Sequence, residues 1–257
     1  PNVPGDKSIS HRSIIIPSIS KGTCEITNIL KSADVLHTLS AFKSMGVSII
    51  EDKTNLVIHG KGLNSLSESK DPIYLGNSGT SARLLTGLLS AQNFNTVLKG
   101  DKSLSNRPMK RIAEPLARMN AKINTTNGSL PLSIEPSNLH SANIEIKIPS
   151  AQIKSGLLLA ALNIKGETVI SESKITRDHT EIMLKSFGAD LEVKRIDDKK
   201  IISIRGQKEL ISKNIDVPND LSSSAFFIVA ALINNNSEIV LKNINNNPTR
   251  NGLILAL

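Results

Sequence analysis

Apolar positions along this chain repeat in blocks. Three times, a short polar turn leads into a run rich in Ala, Leu and Ile with helical spacing. A strand-like stretch follows, then a second helical stretch closed by Gly or Asn, then two alternating segments that pair as a hairpin. In the first unit the spacing predicts a helix over 6–19, a strand over 22–30 and a helix over 34–45, with a hairpin over 47–50 and 55–59. Ala33-Asp34 caps the second helix, Leu36, Leu39, Phe42 and Met45 form its apolar stripe, and Gly46 stops it. In the second unit, 75–83 opens a helix that continues through 84–89, and 96–99 is a strand. Its second helix starts over 105–108, where Pro108 loses nothing by lacking an N–H. Ile112, Leu116 and Met119 mark the buried side, and strands follow over 121–123 and 132–134.

The third unit opens at 148–155 and its helix runs on through 157–162. A strand over 168–172 leads to a helix starting over 177–180, with Ile182, Met183 and Phe187 facing inward, and strands over 191–193 and 201–204 close the unit. A fourth unit begins at 217–224, with a helix over 225–232, a strand over 238–242 and a further helix from Pro248. The Ser-rich 60–72 reads as the most mobile linker, and the Asn runs 234–236 and 245–247 read as surface turns. The period is roughly 70 residues. Pro1 is not an ordinary start, and the last helix reaches Leu257 uncapped inside an apolar face. The sequence therefore reads as an incomplete piece of a longer chain.

Composition narrows the ligand more than the fold. The net charge of +8 invites either nucleic acid or small polyanions in a positive cleft. With aromatics at 2% and no Trp, base-stacking platforms are poorly supplied, which favours the small anion. No run of about 18 apolar residues spans a membrane, and no signal peptide is visible, so the expected setting is cytoplasmic. Cys24, the single cysteine, lies in an alternating stretch and reads as a buried structural thiol.

The most chemically loaded stretch is Pro4-Gly5-Asp6-Lys7-Ser8-Ile9-Ser10-His11-Arg12. A helix start offers free N–H groups and partial positive charge, and Lys7 with Arg12 turns it into an anion site. On helical spacing, Lys7, Ser8 and Arg12 could all face one phosphate. Later units repeat the arrangement with Thr80/Arg83 and with Ser150/Gln152/Lys154. If the units pack around a local threefold, these helix starts face one cleft. The alternative is that a repeated fold repeats its caps for stability alone, since Ser, Thr and Asn favour caps anyway.

At these residues the chain resembles the 5-enolpyruvylshikimate-3-phosphate synthase family. Residues 4–12 match its first signature and Leu75-Gly76-Asn77-Ser78-Gly79-Thr80-Ser81-Ala82-Arg83 its second. Arg107-Pro108-Met109, Ser150-Ala151-Gln152-Ile153-Lys154-Ser155 and Arg177-Asp178-His179-Thr180 match further elements in the right order, with Arg177 marking the Arg-bearing branch. The resemblance implies an α/β (α+β) fold, the inside-out α/β barrel of repeated βαβαββ units around a pseudo-threefold. One complete domain would span 6–216, with 1–5 and 217–257 as hinge and fragment of a second.

The implied reaction transfers the enolpyruvyl group of phosphoenolpyruvate to the 5-hydroxyl of shikimate 3-phosphate, with no metal or organic cofactor. The family match makes Lys7 catalytic and in touch with both substrates. It assigns Ser8, Arg12, Ser150, Ala151 (through its backbone), Gln152 and Arg177 to shikimate 3-phosphate, and Gly79, Thr80, Arg107 and Gln152 to phosphoenolpyruvate. Asn77 and Arg83 shape the loop, His11 and His179 are packed rather than catalytic, and glyphosate is the family's inhibitor. The match also implies no nucleic-acid or membrane partner, a monomer when full length, and an inactive piece when alone. Two rival readings are a UDP-N-acetylglucosamine enolpyruvyl transferase and a non-catalytic anion- or nucleic-acid-binding module. The first usually has Lys-Asn where Lys7-Ser8 stands, and a Cys in the loop where 100–106 has none.

Overall fold

The computed structural model describes residues 2–52 and 55–257; Pro1, Lys53 and Thr54 lie outside the described residues. The elements run in the order α1 (Lys7–Ser18), β1 (Lys21–Thr27), α2 (Ala33–Ser44), β2 (Ser48–Glu51), β3 (Leu56–Lys61), β4 (Ile73–Tyr74), α3 (Gly79–Ser90) and β5 (Thr96–Lys99). Next come α4 (Lys102–Ser105), α5 (Lys110–Ala117), β6 (Lys122–Thr126), β7 (Ser129–Glu135), β8 (Asn143–Ile146), α6 (Ala151–Ala161), β9 (Glu167–Glu172) and α7 (His179–Ser186). The chain closes with β10 (Asp190–Ile196), β11 (Lys199–Arg205), β12 (Ile215–Asp216), α8 (Leu221–Ile233) and α9 (Gly252–Ala256).

Three four-stranded sheets share one topology: β12-β1-β3-β2, β4-β5-β7-β6 and β8-β9-β11-β10. In each, a lead strand lies parallel to its neighbour and an antiparallel hairpin completes the sheet. In the second and third sheets a helix (α3, α6) carries the chain between the parallel strands. The first sheet borrows its lead strand from far along the chain: Ile215 and Asp216 pair with Ile26 and Thr27. Besides the short α4, the elements the sequence pattern missed are the three lead strands. Two of them are two residues long and have no alternation to read.

Helices α1, α3 and α6 form the interior. Nearly every residue of α3 and α6, and α1 from Ser10 onward, is buried. Leaving a buried polar group unpaired is costly, so the small hydroxyls of these helices bond back to the preceding turn. Ser10, Ser18, Thr86, Ser90 and Ser155 each donate to the carbonyl four residues earlier. The Cys24 thiol is fully buried, donates to the Lys213 carbonyl at 2.9 Å, and is pushed by burial up to about 12.

Several sequence expectations need correction. Leu36 and Ile182 are exposed, and Val35 and Leu184 take the inward places. Residues 238–242 form no strand, because no neighbouring strand offers them a ladder. Arg107-Pro108 precedes the helix rather than starting it: Met109 is the N-cap of α5, and Asp101 caps the separate short α4. The last helix begins at Gly252, after a turn over 248–250. Within 60–72, Leu66 is buried and Ser67 bonds the Met45 carbonyl through both its N–H and its hydroxyl. Asn245 and Asn247 are buried, not surface turn residues. No helix of the described residues is long and apolar enough to cross a membrane.

Helices α3 and α6 cross at Gly87 and Gly156. A Cβ on Gly87 would stand 2.0 Å from the Gly156 carbonyl oxygen, a backbone atom that cannot swing aside. Gly87→Ala is therefore expected to cost about 3 kcal/mol, the upper end of ordinary overpacking. Urea unfolding checks this: the midpoint should fall with little change in slope. An unmoved midpoint would refute the close crossing.

Candidate active site

Each interior helix starts with a side-chain cap. Asp6 accepts from Ile9 N–H at 3.0 Å, Ser78 from Ser81 N–H at 3.2 Å and Ser150 from Ile153 N–H at 3.4 Å. Side-chain bonds then tie the helices near these starts. His11 Nδ1 lies 2.8 Å from Thr38 Oγ1, which lies 2.6 Å from Ser81 Oγ, joining α1, α2 and α3. Arg12 Nη2 donates to Ser155 Oγ at 2.8 Å and Nε to Thr180 Oγ1 at 2.6 Å, joining α1 to α6 and α7. All these residues lie within the first six positions of their helices. The helix N-termini therefore open at the same end, and their partial positive charges add.

At the α3 start, Gly79, Thr80, Arg107 and Gln152 lie together with Asn77 and Arg83. Gln152 Nε2 donates to Thr80 Oγ1 at 3.0 Å, and its Oε1 accepts from Arg83 Nη1 at 2.8 Å. Arg107 donates to Asn77 Oδ1. A Cβ on Gly79 would stand 2.9 Å from Arg83 Nη1 and 3.0 Å from Arg107 Nη1, so two guanidinium groups flank the glycine. Burial, then Arg107 and Arg111, lower the Arg83 pKa. Like charges held this close, beside helix N–H groups, are electrostatically complementary to an anion.

The first motif is arranged differently from the expectation of one phosphate facing three side chains. Lys7 is half-exposed and pairs with Asp34 in the first turn of α2. Arg12 is buried and points away, toward α6 and α7, with Nη1 on the Ser8 carbonyl at 2.7 Å. Burial lowers its pKa to about 10, which leaves it protonated at neutral pH. Ser8, Ser150 and Ala151 are partly exposed at their helix starts. Arg177 is exposed in the β9–α7 loop and makes no hydrogen bond or ion pair among the described residues. Partial burial and then Arg250 lower its pKa.

Sequence reasoning missed the acids behind the cations. Asp34 reads as a cap, but Ser32 holds the N-cap position and the Asp34 carboxylate is free for Lys7. Asp6 caps α1 and also accepts from Arg250 Nη1 at 2.6 Å and Asn245 Nδ2 at 3.1 Å. Burial pushes its carboxyl up, but the Ile9 amide, Asn245 and Arg250 outweigh it and hold the pKa below the ordinary value. Nothing in the local sequence links residue 6 to residues 245 and 250.

A family model described as EPSP synthase (3-phosphoshikimate 1-carboxyvinyltransferase) matches residues 2–257. A 3-phosphoshikimate 1-carboxyvinyltransferase of Leuconostoc citreum is 47% identical over 257 residues, covering 99% of this chain and 59% of that protein. One from Geobacter sp. (strain M21) is 49% identical over 255 residues, covering 98% of this chain and 58% of that protein. A solved EPSP synthase structure from Acinetobacter baumannii superposes with a TM-score of 0.92 at 48% identity, covering 99% of this chain and 57% of that one. The chain thus spans less than two thirds of the length of these relatives.

Two buried imidazoles give the site a pH signature. Burial, then the nearby Arg12, lower His11 to about 3 and His179 to about 4. Below pH 6.5 the unfolded chain takes up protons that the folded chain refuses, so stability is lost as pH falls from 6.5 toward 4. Each imidazole adds up to about 1.4 kcal/mol per pH unit to that slope. His11→Asn should flatten the fall in urea-unfolding free energy between pH 7 and 5. Identical slopes for the two proteins would contradict a neutral buried His11.

Proposed function

The chain belongs to the EPSP synthase family, and on that premise we propose that the full-length protein transfers the enolpyruvyl group of phosphoenolpyruvate to the 5-hydroxyl of shikimate 3-phosphate. Residues 6–216 act as one domain that forms one wall of the reaction cleft, and 217–257 lead into the second. The observation that carries this reading is the pair of guanidinium groups flanking Gly79, Arg83 and Arg107, at an open helix start. Both substrates bear phosphate and carboxylate, and such groups relieve the crowding of like charge.

In this reading the Gly79 amide, Thr80, Arg107 and Gln152 hold phosphoenolpyruvate. Ser8, Arg12, Ser150, the Ala151 backbone, Gln152 and Arg177 hold shikimate 3-phosphate. Arg12 commits three N–H groups to protein oxygen atoms, which leaves two of its five for a ligand. A proton adds to C3 of phosphoenolpyruvate, the substrate hydroxyl loses its proton and bonds to C2, and a tetrahedral adduct forms. The adduct then loses a C3 proton and expels phosphate, restoring the double bond. Lys7, half-exposed and steadied by Asp34, is the group on this wall suited to move a proton and to stabilise both anions. The protein acts in the cytoplasm, as a monomer.

Calorimetric titration of the full-length protein with shikimate 3-phosphate, then phosphoenolpyruvate, tests the substrate assignment. Tight binding of the first and enhanced binding of the second is expected. Binding of UDP-N-acetylglucosamine instead would mark the related transferase, and salt-dependent DNA binding with no response to shikimate 3-phosphate would mark a nucleic-acid module. Lys7→Ala should lower kcat by about 10²–10³, on the order of 3–4 kcal/mol. Near-normal turnover would remove Lys7 from its role.

A further inference from the structure

Behind the start of α6 lies a buried set of charges that the reaction leaves unused. Lys154, two residues after Gln152, is fully buried, and its Nζ lies 2.8 Å from both Glu172 Oε1 and Glu181 Oε1. Lys200 reaches Glu181 Oε1 at 3.1 Å, so two ammonium groups face two carboxylates. Taking charges out of water costs as much as, or more than, their attraction returns, so stability alone is a weak reason for the set. What it grips is more informative.

It grips Thr176. Glu172 Oε1 accepts from the Thr176 N–H at 3.2 Å, and Glu172 Oε2 accepts from its hydroxyl at 2.6 Å. Lys154 Nζ donates to the Thr176 carbonyl at 3.3 Å. All three polar groups of one loop residue are therefore taken by one ion pair. The next residue is Arg177, whose side chain has no partner of its own among the described residues. On its far side, Asp178 accepts from Asn247 Nδ2 at 2.7 Å. The backbone carrying Arg177 is thus clamped on both flanks while the side chain stays exposed.

We propose that Lys154 and Glu172 are positioning residues for the ligand site, gripping Thr176 so that Arg177 is held in reach of an anion docked at the α6 start. The proposal rests on the reading of Arg177 as a shikimate 3-phosphate ligand. Neither Lys154 nor Glu172 touches substrate. Their effect is to limit the backbone freedom that Arg177 would otherwise lose on binding.

Thr176→Val in the full-length protein removes the gripped hydroxyl and leaves the ion pair. The expected result is a roughly tenfold rise in KM for shikimate 3-phosphate, with kcat and the KM for phosphoenolpyruvate within about twofold of wild type. Thr176→Ser, which keeps the hydroxyl, should restore the wild-type KM. Glu172→Gln, a second variant, should shift the same constant in the same direction. In an Arg177→Ala background, Thr176→Val should add nothing, because the group being aimed is gone. Equal effects in both backgrounds, or a fall in kcat with both KM values raised, would mean a merely structural role and overturn the proposal. Wild-type protein that fails to bind shikimate 3-phosphate would overturn the functional reading and this proposal with it. Normal wild-type binding with an unchanged Thr176→Val would overturn the positioning role alone.

Discussion

Arg12 is almost free of solvent, yet its guanidinium bonds only neutral oxygen atoms: the Ser8 carbonyl and the hydroxyls of Ser155 and Thr180. Through them one side chain of the first unit holds two helices of the third. The arrangement is electrostatically awkward, since the cation stands near the starts of α6 and α7, where the helix dipoles are already positive. Glu181 and Asp6 act at longer range to offset it. Here a cation near the helix starts is offset by acids set behind it. The same division recurs with Lys7 and Asp34, and with Arg250 and Asp6.

Close approach of the interior helices makes this crowding possible. Gly87 and Gly156 let α3 and α6 cross at backbone distance, which brings Gln152 within reach of both Thr80 and Arg83. Hydroxyl residues that bond back to their own helices let α1, α3 and α6 be buried on every side with their serine and threonine hydroxyls satisfied. Packing and site geometry are in this sense one problem. A bulkier residue at the crossing would move apart the α3 and α6 starts that carry Thr80 and Gln152.

Much of this was legible in the sequence. The repeat, the helices α1, α3 and α6 and the polar turns that open them follow from local signals: hydrophobic spacing, Gly stops and polar residues before apolar runs. The meeting of Gly79, Thr80, Arg107 and Gln152 was legible through motif resemblance rather than spacing. What local signals could not carry was anything set by distant residues. The short lead strands are strands only because a neighbour supplies a ladder. From helical spacing Arg12 reads as facing a phosphate with Lys7 and Ser8, and the part of its guanidinium that turns inward depends on hydroxyls at 155 and 180. Asn245 and Asn247 have surface-turn chemistry, and they are buried because Asp6 and Asp178 need donors. Leu36 and Ile182 fit an apolar stripe, but Val35 and Leu184 fit the cavity better.

The first sheet is finished by Ile215 and Asp216, which lie some 189 positions beyond their partners Ile26 and Thr27. During synthesis the ribosome must therefore deliver all three units before the first can close. Until then β1 presents an unpaired edge, the kind of surface on which another nascent chain could add a strand. Order of manufacture and order of completion run in opposite directions here, and the first of these three units to be made is the last of them to be sealed.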